Sequence, residues 1–380
     1  MGDLTHAGAP SIRVDSELEL LTYLGMRRIL RARPRTEVLG LARKTNARHG
    51  QANQAWRAGT NLPPMRVEGL HHLECARDGA SGAVVALPHC GPYFRAALAL
   101  VDRDFALTVL AERKTYDDES AGIERHVAAY RGSIQGTASE HVQILDTSRT
   151  TAAWETIVAL RHGRIALTYY DNNFGIQSPA SARTSAVFDL CGTPVVGRLG
   201  APVIAGTAGV PLVPALARFG TEPGEEDVLE LHAPLLREPG EELETFARRA
   251  GGLLFASLGR EIERDPTAWD LWFGLIGRAP APPTKIVERE PEMLEVLAMR
   301  VRLAEESLEE LDTPYGRLVA NLDRGTTVVR NETYDAIAEI LAEGASVEKL
   351  VFDLNPVVGG NDVALTAIQS LVASGFLVLA

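Results

Sequence analysis

Between residues 79 and 220 the chain is punctuated into short apolar runs separated by helical stretches, and this alternation constrains the fold more than any other feature. AVVALP (83–88), FALTVLA (105–111), VQILD (142–146), RIALTYYD (164–171) and VPLVPALA (210–217) each read as a buried strand. Helical stretches lie between them, notably at 120–131 and 151–162. Parallel neighbours in a sheet need a crossover between them, so strands alternating with helices imply an α/β fold with a mostly parallel central sheet flanked by helices.

The flanks read differently. From 14 to about 57, Leu18, Leu20, Leu21, Leu24, Ile29, Leu30, Val38, Leu39 and Leu41 recur at helical spacing, which predicts two or three helices in an N-terminal region spanning 1–66. The α/β core is expected over 67–279, with an amphipathic helix at 243–263. APAPPT then marks a proline-rich break, so a linker is expected at 280–292 and a separate C-terminal domain at 293–380. There, helical periodicity runs through 293–311 and TTVV reads as a strand. NETYDAIAEILAEG carries an Asn cap and a terminal Gly, and two more helices and a final strand follow. This is the content of a small α+β, winged-helix-like domain.

Bulk properties narrow the function classes. The net charge is -12 over 380 residues, and the cations are scattered, so nucleic acid and an anionic membrane surface are not expected partners. No charged region followed by an apolar stretch opens the chain, and the longest apolar candidate, 195–216, is interrupted by four glycines, three prolines and Arg198. No integral membrane segment is expected. Cys75, Cys90 and Cys191 are too few and too irregular for a disulfide framework or a zinc site, which fits a cytoplasmic location.

The segment 67–98, VEGLHHLECARDGASGAVVALPHCGPYFRAAL, ends its strand on His89. A side chain at the carboxyl end of a sheet strand projects into the crevice where α/β folds bind ligands, and imidazole titrates near neutrality, as a base that also returns its proton must. This segment, with LTVLAERKTYDDESAGIERHVAAYRG (107–132) and FDLCGTPVVGRLGAPVIAGTAGVPLVPALARF (188–219), resembles the bacterial lysophospholipid acyltransferase-like family, which contains the lipid A and phosphatidylinositol mannoside acyltransferases. The resemblance spans residues 15–278.

What that resemblance implies is an acyltransferase in which His89 takes a proton from an acceptor hydroxyl or amine, which then attacks an acyl thioester carried by an acyl carrier protein or CoA. No cofactor or metal is implied. The family places an acid five positions after this His, where this chain has Phe94. Asp171, which ends RIALTYYD, is the candidate substitute; it equally reads as a turn residue capping the DNN that follows. Tyr93, Phe94, Glu112 and Asn173 are expected to contact substrate, and Arg198, inside an apolar run, to hold an acyl-donor or phosphate group. Arg27, Arg28, Arg31, Arg33 and Arg35 form a basic cluster, with Arg28 and Arg31 as candidates for docking an acidic carrier, or else a solvated helix face. The C-terminal module resembles the small winged-helix peptide-recognition domains of peptide-modifying enzymes, so a small partner protein could meet its β-wing, or the module could be a cover or dimerisation element.

Other residues have blander readings. Cys90 diverges from His89 along an extended strand, which makes a Cys–His nucleophile pair improbable. His71, His72 and Glu74 lack a third metal ligand at suitable spacing. PHCGP is not followed by the Lys-Ser or Lys-Thr of a phosphate loop. Trp269, Trp272 and Phe273 read as core, and Gly200, Ala201, Gly206, Ala208 and Gly209 as close packing or a ligand approach. Three classes stay open: an acyltransferase; a repurposed fold running another proton transfer, such as ring closure or elimination, on a carrier-tethered intermediate; and a non-catalytic scaffold.

Overall fold

The structure is a computed structural model that describes residues 12–58, 65–78, 81–111, 113, 141–171, 184–220, 225–275, 300–304, 307–314, 316–323, 326–341, 345–358, 361–373 and 376–379. The expected helix at 120–131 and the linker at 280–292 lie outside the described residues. Two compact units are present, one of residues 1–43 with 272–380 and the other of 44–271. These limits differ from the expected boundaries at 66/67 and 279/280, because the first forty residues group with the last hundred rather than standing alone.

In chain order the first elements are β1 (Ile12–Arg13), α1 (Glu17–Ile29), α2 (Arg35–Ala58), β2 (Arg66–Glu68), α3 (His71–Asp78), β3 (Ala83–Leu87), α4 (Ala96–Val101) and β4 (Leu107–Ala111). They are followed by β5 (Val142–Asp146), α5 (Ala152–Arg161), β6 (Ile165–Tyr169), β7 (Ser185–Leu190), β8 (Thr193–Arg198), α6 (Gly200–Ala208), β9 (Leu212–Arg218), β10 (Val228–Leu231) and α7 (Leu243–Arg264).

Residues 44–271 are built on a seven-stranded sheet of order β2-β10-β9-β3-β6-β4-β5. The five strands from β9 to β5 are mutually parallel, while β10 runs antiparallel to β9 and β2 parallel to β10. All five expected strands are in this sheet, and the chain is a mixed α/β protein with helices flanking it. Every residue of β3 and of β4 is buried, which is why neither shows polar alternation. Val85, Leu87, Leu107, Val109, Ile165, Leu167 and Val213 form the centre of the core with Leu100 of α4. At such positions, truncating a Leu to Ala typically costs about 2–5 kcal/mol.

Two features of this unit are not apparent from apolar runs. Strands β2 and β10 are short, with only two of the four residues of β10 buried. Strands β7 and β8 form a hairpin apart from the main sheet, closed by Cys191 (φ 52°) and Gly192 (φ 79°). Two positive-φ residues give the primed turn whose twist suits a two-residue hairpin, and Asp189 Oδ1 accepts the Gly192 N–H at 3.1 Å. The glycines of α6 answer to packing: a Cβ on Gly206 would meet Leu243 and Phe246 of α7, and Gly209, at φ 71°, ends the helix.

In the other unit, Ser16 caps α1 by accepting the Glu19 N–H at 3.1 Å, with Glu17 and Glu19 in its first turn and Arg27 and Arg28 in its last, as the helix dipole favours. The C-terminal elements are β11 (Arg300–Leu303), β12 (Leu308–Thr313), β13 (Gly316–Asn321), β14 (Thr326–Val329), α8 (Glu332–Ile340), β15 (Ala345–Ser346), α9 (Val347–Val358), α10 (Asn361–Ala373) and β16 (Leu377–Leu379). The helical periodicity expected at 293–311 is corrected, since 300–303 and 308–313 are strands. In β12 the alternation of half-buried Leu308 with buried Glu309, and of Glu310 with buried Leu311, is a period of two. The sheet order is β1-β12-β13-β14, and a second sheet runs β15-β11-β16. Asn331 caps α8 as expected, accepting the Tyr334 N–H at 2.9 Å. Ile337, Leu350, Leu354, Ala364, Ile368 and Leu377 pack the three helices together.

Candidate active site

The parallel register of β3 and β6 sets Leu87 opposite Tyr169. His89 lies two residues beyond Leu87, and Asp171 two residues beyond Tyr169. Equal overshoot at the carboxyl ends of neighbouring parallel strands brings their side chains together, and His89 Nδ1 is 2.7 Å from Asp171 Oδ1. The other oxygen, Oδ2, accepts the backbone N–H of His89 at 2.8 Å and the indole Nε1–H of Trp269 at 2.7 Å. Asp171 is thus buried with donors on both oxygens, and the His89 side chain is 12% exposed. With Nδ1–H given to the carboxylate, Nε2 is left as the accepting nitrogen of the neutral ring.

A short antiparallel ladder holds the turn after β3. Gly91 N donates to Ala268 O at 2.7 Å, Asp270 N donates to His89 O at 2.9 Å, and Cys90 bridges Trp269. Gly91 has φ 59°, and a Cβ there would come within 2.4 Å of the Ala217 carbonyl oxygen, so no other residue fits this turn unstrained. Asp265 starts the 3-10 turn of Pro266–Ala268 by accepting the Thr267 N–H. That turn delivers Trp269 and Asp270 to the ends of β3 and β6.

Aromatic rings enclose the imidazole. Tyr93 stands edge-on to it at 4.7 Å between centroids, and Tyr169 lies tilted at the same distance. The Tyr93 hydroxyl donates to Asp270 Oδ2 at 3.2 Å; burial, and then the Asp270 charge, push its pKa well above the usual tyrosine value, so it stays protonated as a donor. Phe94, at the position where an acid was the family expectation, packs against Trp56 and Tyr93 with centroids at 5.3 and 5.4 Å. Cys90 is fully buried, and burial followed by the Asp171 charge raises its thiol well above normal, which removes the thiolate a nucleophile needs.

Not every expected residue joins this constellation. Glu112 and Asn173 lie outside the described residues. Arg198 ends β8 and is exposed, so the premise of a guanidinium sunk in an apolar run is corrected: the run 195–216 divides into the end of β8, helix α6 and most of β9, and Arg198 lies at the solvent-exposed end of the hairpin strand. Arg28 is 2% exposed and donates to the Leu275 carbonyl at 2.8 Å, and Arg31 is paired with Asp323. Arg27 and Arg35 both bind Glu309, at 2.9 and 3.0 Å, and Arg33 binds Glu37 at 2.8 Å. The basic cluster is therefore engaged inside its own unit, and buried Arg28 and paired Arg31 do not form the free docking face expected for a carrier. Among the described residues no group of His, Cys, Asp and Glu is arranged to hold a metal ion.

Trp269, Asp270, Tyr169 and His49 went unnoticed as site residues. Trp269 is core, as its spacing implied, but its N–H also serves Asp171; only the rule that a buried indole N–H finds an acceptor hinted at this. No family profile matches the chain, and no curated protein matches it.

Proposed function

We propose that this protein is an acyltransferase-like enzyme of specialised metabolism that acts on a CoA or carrier-protein thioester, with His89 as general base. The observation that carries the reading is the 2.7 Å contact of His89 Nδ1 with buried Asp171, which supplies the orienting acid that Phe94 does not. Nε2 takes the proton from an acceptor hydroxyl or amine as its oxygen or nitrogen bonds to the thioester carbon. The imidazolium, stabilised by Asp171, then returns that proton to the departing sulfur as the C–S bond breaks. Such thioesters belong to the cytoplasm, where this reading puts the reaction. Among the described residues no helix is long and apolar enough to cross a membrane.

The test is incubation with acyl-CoA and acyl-carrier thioesters and a panel of amine and hydroxyl acceptors, following thiol release and the mass of the acceptor. Acylated acceptor from the parent, and none from His89→Ala, supports acyl transfer. Thiol release at the uncatalysed rate throughout overturns it. The second reading, a proton transfer on a carrier-tethered intermediate, draws support from Phe94, since the family's acid is absent from its own position. It gives an altered tethered mass with no thiol released. A silent scaffold has no use for an acid beside His89, and Asp171 weighs against it.

In this reading the C-terminal residues receive a small partner protein. Strand β14 is the terminal strand of its sheet among the described residues, and Val329 on it is exposed. Such an edge offers unpaired backbone groups to a peptide strand. A partner peptide that adds there slows amide exchange at 326–329; unchanged exchange at saturating peptide rules this mode out.

A further inference from the structure

Behind Tyr93 the structure holds a buried group that the proposed reaction does not use. His49 of α2 is 3% exposed, and neither ring nitrogen makes a hydrogen bond of normal geometry, although the backbone of Thr267 and Ala268 lies close enough to favour its charged form. A buried polar group left in this state costs about 1–3 kcal/mol, so its retention calls for a reason. Its Nδ1 lies 3.7 Å from Asp270 Oδ1. Asp270 in turn accepts from Tyr93 through Oδ2, and its backbone N–H holds the His89 carbonyl. One acid therefore touches the buried histidine, the tyrosine that abuts the base, and the backbone of the base itself.

We propose that Asp270 is a positioning residue for the site and that His49 is its buried counter-charge, which decides whether the carboxylate serves Tyr93. The inference rests on the reading of His89 as the base. With His49 neutral, Asp270 keeps the Tyr93 ring edge-on to the His89 imidazole. Protonated His49 gains a donor facing Asp270 Oδ1, and a small rotation of the carboxylate closes the 3.7 Å gap to a charge-assisted hydrogen bond. That rotation takes the acceptor from the Tyr93 hydroxyl and frees the ring beside the base.

Among the groups around His49, Asp270 favours its charged form most, ahead of the backbone of Thr267 and Ala268. On α2, Arg48 is held by Asp265 at 2.9 Å and lies over the Phe219 ring at 4.3 Å. Just past β9, Phe219 meets the imidazole edge-on at 5.3 Å, and Arg218 on β9 is paired with Glu230 and Glu261. The turn at 266–270 presents the backbone of Thr267 and Ala268 along with Asp270. Burial pushes the His49 pKa below its ordinary value, while Asp270 opposes that shift, so the charged form appears only on acidification.

The experiment is a titration of the full chain with isotope-labelled histidine, observed by NMR, with His49 assigned by the signals lost in His49→Gln. In the parent, the His89 ring signals show a second inflection at the midpoint of His49, because the Tyr93 ring beside them moves; in His49→Gln that inflection is absent. Asp270→Asn keeps an acceptor for Tyr93 and the N–H to His89, and it covers the case in which His49→Gln does not fold. There the His49 midpoint falls further, since the opposing charge is gone. A single His89 inflection in the parent, or a His49 midpoint indifferent to Asp270→Asn, overturns the proposal. With a thioester substrate in hand, kcat/KM falls more steeply on acidification in the parent than in His49→Gln. A parent that shows both His89 inflections yet releases no thiol from any thioester refutes acyl transfer and leaves the coupling standing.

Discussion

Trp269 donates its indole N–H to Oδ2 of Asp171 at 2.7 Å, with both groups buried, so the tryptophan orients the acid that orients the base. Trp269→Phe keeps most of the packing and removes that donor. A hydrogen bond to a charged group contributes about 1.5–3 kcal/mol. If it acts through the His89 geometry, kcat falls by about ten- to a hundredfold. An unchanged kcat in a variant with an unchanged melting curve would show that the indole serves packing alone.

Asp171→Asn separates orientation from charge. An amide that turns its NH2 toward Nδ1 favours the tautomer with the proton on Nε2, which cannot accept a proton from the acceptor group. Turnover is expected to drop by about three to four orders of magnitude with the fold intact. His89→Ala loses the general base altogether and falls by about a hundred- to ten-thousandfold. The double variant drops no further than the more damaged single one, since the two residues act as one unit. Additive losses, measured as thiol release, would contradict a shared role.

The residues explain how much of this was legible. Strands β3 and β4 announced themselves because burial on both faces leaves an unbroken apolar run, and His89 followed from its place at the end of one. Asp171 was legible only as an acid at another strand end; its meeting with His89 depends on the register of β3 against β6, a non-local quantity that no local pattern encodes. The hairpin of β7 and β8 hid its turn in Cys191–Gly192, where a cysteine takes the positive φ more often found on Asn or Asp. Strand β12 does not read as a strand because acids at Glu309 and Glu310 break its apolar alternation, and buried Glu309 is held there by its partners. Arg27, Arg31 and Arg35 read as a surface for the same reason, as the acids that pair with them, Glu309 and Asp323, lie almost three hundred residues away in sequence.

The buried thiol of Cys90 yields a pH statement. Its pKa is raised, so the reactive thiolate is scarce at pH 7 to 8 and becomes available only well above the ordinary thiol range or on unfolding. Cys191 is half-buried and pushed up to about 11, by burial first and then by Glu263. In a Cys75→Ser, Cys191→Ser background, a thiol reagent at pH 8 should leave the native protein unmodified and label it fully in denaturant. Cys90→Ala should retain turnover. Rapid native labelling together with loss of activity in Cys90→Ala would restore the cysteine as nucleophile and displace His89 from its proposed part.

Glu309 gathers three partners on one buried carboxylate: the Tyr23 hydroxyl, Arg27 Nε at 2.9 Å and Arg35 Nε at 3.0 Å. Burial, and next the Glu309 charge, raise the Tyr23 pKa well above its ordinary value, so the hydroxyl remains a donor around neutral pH. This cluster and the pairing of β1 with β12 tie α1 to the C-terminal strands, in keeping with residues 1–43 grouping with 272–380. Glu309→Gln removes the charge and leaves two guanidinium groups behind. Stripping one partner from a fully buried pair destabilises by about 3–5 kcal/mol. Here Arg27 also donates to the carbonyls of Leu30, Arg31 and Arg33, and Arg35 to that of Glu310, so part of the loss is absorbed. The expected loss is about 2–3 kcal/mol in urea unfolding of the full chain, lowered from the buried-pair range for those remaining acceptors. Arg33→Ala breaks only the exposed pair with Glu37 and should change stability by about 0.3–0.5 kcal/mol. Equal effects of the two substitutions would mean that Glu309 does not anchor α1, and that the segment is held by its apolar face through Leu20, Tyr23 and Leu24 instead.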